Sequence, residues 1–237
     1  YLVIGSNTTE QHPIIGMYVR QAVKQRGATL VLADPRRIPL VELATVHLQH
    51  RPGSDVALLN SLMNVIIAEE LWDKAFVAER TEGFDELKAK VARYTPEEAR
   101  EITCVPPAEV RKAARLMAGL KPMALLYAMG ITQHTSGHQG VLSCANLQML
   151  LGNLGVPGGG VNPLRGQNNV QGACDMGGLP NYYPGYQSVA TEAAQAKFEA
   201  AWGVRLGLDP GLTVVEMMNA AEEGRIKAMY ILGENPM

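Results

Sequence analysis

The first 37 residues, YLVIGSNTTEQHPIIGMYVRQAVKQRGATLVLADPRR, contain the alternation of elements that indicates the class of fold. Residues 1–5 are apolar and end at a glycine, which is typical of a buried strand. Pro13 follows a short loop and favours the first turn of a helix, where its missing N–H costs no hydrogen bond. Gly27 ends that helix, and residues 29–33 form a second apolar strand. This order predicts a parallel sheet with crossover helices.

The alternation of strands and helices continues along the rest of the chain. A strand over 46–50 precedes a helix over 56–70, and Asp55 is a plausible N-cap for that helix. The remaining predicted elements are helices within 71–120, a strand over 123–127, helices over 141–151, 191–202 and 213–223, and a last strand over 227–232. We therefore predict an α/β fold, a doubly wound parallel sheet of the Rossmann-like kind with flanking helical segments.

A long irregular loop over 155–188 interrupts this pattern. Its centre, GVNPLRGQNNVQGACDMG at 160–177, has neither a helical nor a strand period, so we expect neither element there. Amide side chains surround one guanidinium, which gives many hydrogen-bonding groups in a short segment. A plain surface loop is the alternative, but long loops in compact proteins tend to be functional or disordered. These polar groups are Asn162, Arg165, Gln167, Asn168, Asn169 and Gln171.

Composition excludes several classes of function. The net charge is −2, from 21 basic and 23 acidic residues, and the absence of a basic run argues against a nucleic-acid partner. No apolar stretch is long enough to predict membrane insertion. The three cysteines, Cys104, Cys144 and Cys174, form no CxxC pair, so neither an iron–sulfur cluster nor a metal site is predicted within this chain. Their wide spacing favours a reducing, cytoplasmic location. The chain begins inside a predicted strand, so we expect a fragment of a longer, multidomain polypeptide.

Polar residues follow the predicted strands where ligands bind in open parallel sheets, outside the carboxyl ends. The first loop has glycine and small polar residues ahead of a helix N-terminus, which suits a diphosphate. An acid after the second strand suits a ribose, and an acid near residue 55 could accept hydrogen bonds from a guanine edge. A turn and a helix cap are the respective alternatives for these two acids. The five loops are Gly5-Ser6-Asn7, Asp34-Pro35-Arg36, Gly53-Ser54-Asp55, residues 129–133, and Gly233-Glu234-Asn235.

The histidines give weaker signals than these loops. His12 precedes a proline and is expected to shape the first loop, while His47 and His50 lie on a predicted strand and are expected to be structural. His134 and His138 follow Gln133 in the sequence, and we do not expect either of them to contact a cofactor. The first loop also lacks a GxGxxG pattern, which argues against an ordinary nicotinamide dehydrogenase.

Four segments resemble the catalytic (alpha) subunits of formate dehydrogenases, and the resemblance covers essentially all 237 residues. These enzymes are molybdenum or tungsten oxidoreductases that use bis-molybdopterin guanine dinucleotide. The segments are GVNPLRGQNNVQGACDMGGLPNYYPGYQ at 160–187, WDKAFVAERTEGF at 72–84, AMGITQH at 128–134 and YILGENP at 230–236.

The resemblance implies a role for each candidate residue. It places the guanine dinucleotide tail of one pterin on the first loop. Arg165 matches the active-site arginine, which would hold the formate carboxylate, and Gln167 would lie near the metal. The implied cofactor contacts are Gly5, Ser6 and Asn7 on the tail, Asp34 and Arg36 on the ribose and base side, Gly53, Ser54 and Asp55 on the guanine, Met129 and Gln133 on the pterin, and Asn235. Residues 1–154 and 189–237 would form the cofactor-binding domain, with 155–188 as the active-site loop.

The resemblance also implies what this chain lacks. The metal ligand of the family is a cysteine or selenocysteine followed by a histidine, and it lies upstream together with an iron–sulfur cluster. We therefore expect the isolated chain to bind no cofactor and to be inactive, while the intact enzyme would oxidise formate with electron-transfer subunits as partners. The alternative is a pterin-free scaffold related to the large subunit of respiratory NADH–quinone oxidoreductase. The sequence leaves the metal and the electron acceptor open.

Overall fold

The computed structural model describes residues 1–233 and divides the chain into two compact units, Tyr1–Arg165 and Gly166–Met237. The first unit contains a five-stranded, fully parallel sheet in the order β3-β2-β1-β4-β5. This arrangement confirms the predicted doubly wound α/β fold. The strands are β1 (Leu2–Ile4), β2 (Val31–Ala33), β3 (Val46–Leu48), β4 (Leu125–Tyr127) and β5 (Val161–Pro163).

Helices flank this sheet. The helices of the first unit are α1 (Thr8–Gln11), α2 (Pro13–Arg26), α3 (Asp55–Ala68), α4 (Lys74–Arg80), α5 (Phe84–Val91), α6 (Pro96–Thr103), α7 (Pro107–Gly119), α8 (Met129–Thr132) and α9 (Gly137–Leu150), with a 3₁₀-helix at Pro39–Leu43. The structure has α2 with its predicted bounds, and Gly27 ends it in the left-handed conformation at φ 68°. A capping box at Thr95 begins α6.

Alternate residues of each central strand belong to different apolar cores. Leu2 and Ile4 pack in the larger cluster with residues of α3, α7 and α9, whereas Val3 packs in a second cluster with Val19 of α2 and Leu40. Because successive side chains of a strand point to opposite faces, both faces of the sheet are covered. Burial on both faces explains why these strands are uninterrupted apolar runs.

The structure corrects several predicted boundaries. Ser54, rather than Asp55, is the N-cap of α3, and Asp55 is its first helical residue. The exit loops after β1 and β4 contain the one-turn helices α1 and α8. Residues 227–232 form no strand. Elements of three or four residues are too short to show a period, which is why the pattern of apolar residues missed them.

The irregular segment over 155–188 is more regular than predicted. Residues 161–163 pair with β4 as the edge strand β5, where Pro163 is tolerated at the end of the pairing. The second unit begins with the helix α10 (Val170–Asp175), which Asn169 caps by accepting a hydrogen bond from the Gly172 N–H at 3.2 Å. Backbone pairing thus forms a strand, and a side-chain cap begins a helix, in a segment whose glycine-rich composition predicted neither.

The second unit has a small aromatic core. Tyr183 and Phe198 lie 4.7 Å apart between ring centroids, and Phe198 lies 4.9 Å from Trp202. A capping box at Thr213 begins the last described helix of this unit. The other elements are the hairpin β6 (Tyr182–Tyr183) and β7 (Gln187–Ser188), and the helices α11 (Glu192–Trp202) and α12 (Val214–Glu222). The chain divides into compact units after Arg165, whereas the predicted cofactor-binding domain combines residues 1–154 with 189–237. That functional division stays a prediction. Among the described residues, no helix is both long and apolar enough to cross a membrane.

Candidate functional site

Four of the five predicted loops meet at one cavity of about 300 Å³ in the first unit. The cavity lies at the carboxyl ends of β1, β2 and β4, where an open parallel sheet binds its ligands. Its lining residues are Gly5, Ser6, Asn7, Gln11, Asp34, Pro35, Arg36, Pro52, Gly53, Asp55, Met129, Gly130 and His134. The fifth loop ends at Asn235, which lies outside the described residues.

A larger cavity, of about 370 Å³, lies at the opposite edge of the sheet. Residues before or at the starts of strands line it, including Tyr1, Thr29 and Ala124, and Lys121 is its one charged side chain. We regard the carboxyl-edge cavity as the functional site, because it combines two carboxylates, a guanidinium, an imidazole and a buried amide.

Asp34 both starts a turn and lines the cavity. Its Oδ1 accepts a hydrogen bond from the backbone N–H of Arg36 at 2.8 Å, and the Arg36 Nε lies 3.9 Å from the same oxygen. His47 Nε2 donates to the Asp34 carbonyl at 3.0 Å. The two interpretations of Asp34 are therefore compatible, since the turn holds the carboxylate at the cavity and leaves the Arg36 side chain exposed.

Asp55 is a buried carboxylate whose only hydrogen-bond partner among residues 1–233 is His50. His50 Nε2 donates to Asp55 Oδ1 at 2.9 Å, and the two side chains are 0% and 10% exposed. No residue of the described chain donates to the second oxygen. Asp55 lines the cavity, and this oxygen is not fully buried, so it is open to water or to a donor on a bound group.

Gly5 and Gly130 bring two exit loops into direct contact. The Gly130 N–H donates to the Gly5 carbonyl at 3.0 Å, and a Cβ added to Gly130 would lie 2.6 Å from Gly5 Cα. Gly5 has φ 57°, which favours glycine. Contact between backbones therefore explains Gly5 even without a ligand, an explanation that the sequence analysis missed.

The first loop is held by its own side chains. Ser6 and Thr8 hydroxyls lie 2.9 Å apart, and Asn7 Oδ1 accepts from Thr9 Oγ1 at 3.3 Å. The loop leads into α1, which has only four residues, rather than directly into α2 as predicted. The aligned peptide dipoles of one turn are few, so the helix contributes less to diphosphate binding than expected.

Arg165 also lies at the carboxyl edge of the sheet. The Leu164 N–H extends the pairing of β5 by donating to the Tyr127 carbonyl at 2.8 Å, and Arg165 follows directly. Burial and Cys144 raise the pKa of the Tyr127 hydroxyl, and the positive charge of Arg165 opposes that rise. His12 Nε2 donates to the Arg165 carbonyl at 2.7 Å, so His12 joins the first loop to the start of the amide-rich segment.

Several amides of that segment have structural partners. Asn162 donates to the carbonyls of Leu125 and Gly160 at 3.2 and 2.9 Å. Gln171 donates to Asp175 Oδ1 at 3.0 Å and to the Tyr186 hydroxyl at 3.1 Å. Together with the Asn169 cap, these bonds account for three of the five amides without a ligand.

Four predicted site residues of the described chain do not line the cavity, namely Arg165, Ser54, Gln133 and Gln167. Ser54 Oγ donates to the Arg51 carbonyl at 2.7 Å. Gln133 is exposed at the end of α8, and Gln167 is exposed in the second unit. Within residues 1–233, no group of three or more His, Cys, Asp or Glu side chains is arranged to hold a metal ion.

A buried amide network was missed altogether. Gln148 of α9 donates to the carbonyls of Met123 and Gly160 at 2.8 and 2.7 Å, and accepts from Asn153 at 3.1 Å. Asn153 in turn accepts from the Met123 N–H at 3.1 Å. These bonds tie α9 to the starts of β4 and β5. A glutamine within an apolar helix is the signal that would have indicated it.

Comparisons with known proteins agree with this fold. The family model "Molybdopterin oxidoreductase" matches residues 1–237. Formate dehydrogenase H of Escherichia coli is 49% identical over 236 residues, which are 99% of this chain and 33% of that protein. The F420-dependent formate dehydrogenase subunit alpha of Methanocaldococcus jannaschii is 47% identical over 237 residues, which are 100% of this chain and 34% of that protein.

A solved structure supports the same assignment. Acetylene hydratase from Pelobacter acetylenicus superimposes with a TM-score of 0.63 at 32% identity, over 66% of this chain and 22% of that one. The chain thus spans about a third of the length of the curated relatives that it matches. Because the family model covers every residue, the chain belongs to the molybdopterin oxidoreductase family.

Proposed function

We propose that this chain is the part of a formate dehydrogenase alpha subunit that holds one guanine dinucleotide tail of bis-molybdopterin guanine dinucleotide, with molybdenum or tungsten as the metal. The unpartnered oxygen of Asp55 is the observation that supports this most directly. Guanine presents N1–H and N2–H on one edge, and a carboxylate accepts from both. Relatives named as formate dehydrogenases support the reaction class.

The other lining residues suit the rest of a nucleotide. Asp34 would accept from a ribose hydroxyl, and the exposed Arg36 guanidinium would lie on the ribose and base side of the nucleotide. Gly5 and Gly130 line the cavity together, and their missing side chains are explained by the close contact of their backbones. Met129, half exposed at the rim, is the proposed neighbour of the pterin.

Arg165 is the proposed substrate-binding residue. A guanidinium presents two parallel N–H donors, which match the two oxygens of formate. When bound, the metal centre would take the electrons released as formate becomes carbon dioxide. Arg165 would hold the carboxylate, and the His12 bond to its carbonyl would keep the backbone in place. Gln167 and Asn235 stay predicted cofactor contacts, and the iron–sulfur cluster, the electron-transfer subunits and the cytoplasmic location stay predictions.

Cofactor retention in the full-length enzyme tests the proposal. We expect Asp55→Ala to leave buried donors of the guanine unpaired, at a cost of about 1–3 kcal/mol. Metal and guanine nucleotide would be measured per protein after gel filtration, with Asp85→Ala as a control, because Asp85 lies on the exposed side of α5. Equal cofactor content in both variants would remove Asp55 from the site. A wild-type enzyme without guanine nucleotide would favour the pterin-free scaffold.

A further inference from the structure

We propose that His50 is a positioning residue that orients the Asp55 carboxylate toward the guanine edge and so sets the preference for guanine over related bases. This inference rests on the proposed function, because it concerns the same cavity. His50 itself does not line the cavity and would not touch the nucleotide.

The His50 ring is fixed at both nitrogens. It lies two residues beyond the end of β3, where Nδ1 contacts the Leu48 carbonyl at 3.2 Å and Nε2 contacts Asp55 Oδ1 at 2.9 Å. The side chain has no solvent exposure. A buried ring with contacts on two sides has little freedom to rotate, so it defines the position of the carboxylate oxygen that it binds.

This contact leaves Oδ2 and the second lone pair of Oδ1 for a ligand, so that the two N–H donors of a guanine edge could both be accepted. A carboxylate rotates readily about its last bond, and an unanchored one would present its oxygens in many orientations. His50 removes that freedom by holding Oδ1, and no residue among 1–233 bonds to Oδ2. The carboxylate at the cavity wall is therefore held in one orientation, with a defined vacant acceptor.

The bond to His50 also reduces the cost of burying the Asp55 carboxyl group. An unpaired carboxylate with this little exposure would be strongly disfavoured, whereas a hydrogen-bonded imidazole partner offsets the lost hydration. Burial, with a smaller contribution from nearby Asp55, raises the pKa of the Cys144 thiol on the same side of the sheet to about 12. Asp55 can thus attract N–H donors of a base while it remains largely away from water.

Base analogues separate orientation from simple stability. Guanine offers N1–H and a 2-amino group, hypoxanthine keeps N1–H but lacks the amino group, and adenine presents an acceptor at N1. A correctly oriented carboxylate distinguishes guanine from hypoxanthine, while a misoriented one loses the second hydrogen bond and with it the distinction. The ratio of the two affinities therefore reports the orientation of Asp55.

The experiment measures Kd for GDP, IDP and ADP by isothermal titration calorimetry, with the full-length enzyme prepared without its cofactor. We expect the wild type to bind GDP on the order of tenfold more tightly than IDP, which is the effect of one hydrogen bond of about 1.4 kcal/mol. In His50→Phe, which keeps the ring volume and loses both nitrogens, we expect this ratio to fall to about one to two. Asn64→Ala is the control, because it removes a hydrogen bond from α3 to the Val91 carbonyl and should leave the ratio unchanged.

The outcomes distinguish this inference from the function on which it rests. A wild type that binds GDP no better than ADP contradicts the proposed function. A wild type that prefers GDP, with His50→Phe keeping the full GDP to IDP ratio, overturns the role of His50. If His50→Phe does not fold, ¹⁵N spectra of the wild-type His50 ring decide: the resonances should shift with GDP more than with IDP, and equal or absent shifts at saturation overturn the inference.

Discussion

Replacing Gly130 with alanine should destabilise the first unit by forcing two exit loops apart. The added Cβ would lie 2.5 Å from the Gly5 carbonyl oxygen and 2.6 Å from Gly5 Cα, and both atoms belong to backbone rather than to a flexible side chain. Relief requires a movement of roughly 0.5–1 Å to restore an ordinary contact. Overpacking costs about 1–3 kcal/mol, and the 3.0 Å bond between the two glycines would be strained as well, at a cost of about 1 kcal/mol.

Urea unfolding of Gly130→Ala and of Gly119→Ala measures this cost against a matched substitution. Gly119 is the last residue of α7 and has no atom within 4 Å of an added Cβ. Because alanine favours a helix over glycine, Gly119→Ala should be neutral or stabilising by up to about 1 kcal/mol. We expect the free energies of unfolding to differ by about 2–5 kcal/mol between the two variants. A difference below about 0.5 kcal/mol would refute the reasoning that the glycines permit this close approach.

Three further predictions concern other parts of the chain. In the complete enzyme, Arg165→Lys should lower formate turnover at least about tenfold, which corresponds to about 1.4 kcal/mol, because lysine lacks the planar pair of donors. Metal content and Tm should be unchanged, and a stable variant with full metal content and wild-type kinetics contradicts this prediction. Burial raises the pKa of the Cys144 thiol to about 12, against 9.0 in the unfolded chain. Because the unfolded thiol ionises first, the free energy of unfolding should fall as the pH rises above 9.0, by about 1 kcal/mol at pH 10. Urea unfolding of Cys144→Ala should show no such loss. Gln148→Leu should lower the free energy of unfolding by about 2–4 kcal/mol, because it leaves buried carbonyls and an amide unpaired. Gln139→Leu, at an exposed position of the same helix, is the control and should change the stability little. Equal Tm values for the two variants in thermal unfolding would contradict this prediction.

Local signals predicted much of the fold. Proline at the start of α2, glycine at its end and the capping box at Thr95 act within a few residues, so the sequence shows them directly. The edge strand β5 and the one-turn helices α1 and α8 were missed, because their order comes from pairing and packing with distant segments. A strand of only three residues, such as β5, is too short to show an alternation of apolar and polar side chains in the sequence.

The candidate site also has some features that the local sequence predicts and others that depend on contacts between distant segments. The rule that ligands lie at the carboxyl ends of parallel strands found four loops that line one cavity. It did not find the partners of those loops, since the contact of Gly5 with Gly130 joins residues far apart in the chain. His50 was expected to be structural, and the bond to Asp55 became visible only when β3 and α3 were placed beside each other.

The position of β1 in the middle of the sheet has a consequence for synthesis on the ribosome. Leu2 pairs with Val31 on one side and with Leu125 on the other, so β1 gains its second neighbour only after the intervening residues up to Leu125 have been made. Until β4 has left the exit tunnel, the nascent sheet has an open apolar edge of the kind that promotes aggregation. Gly130 arrives directly after β4, and the cavity is therefore completed by the same event that closes this edge. A nascent chain that binds nucleotide at this cavity would thus have already passed the stage at which it is most exposed to misfolding.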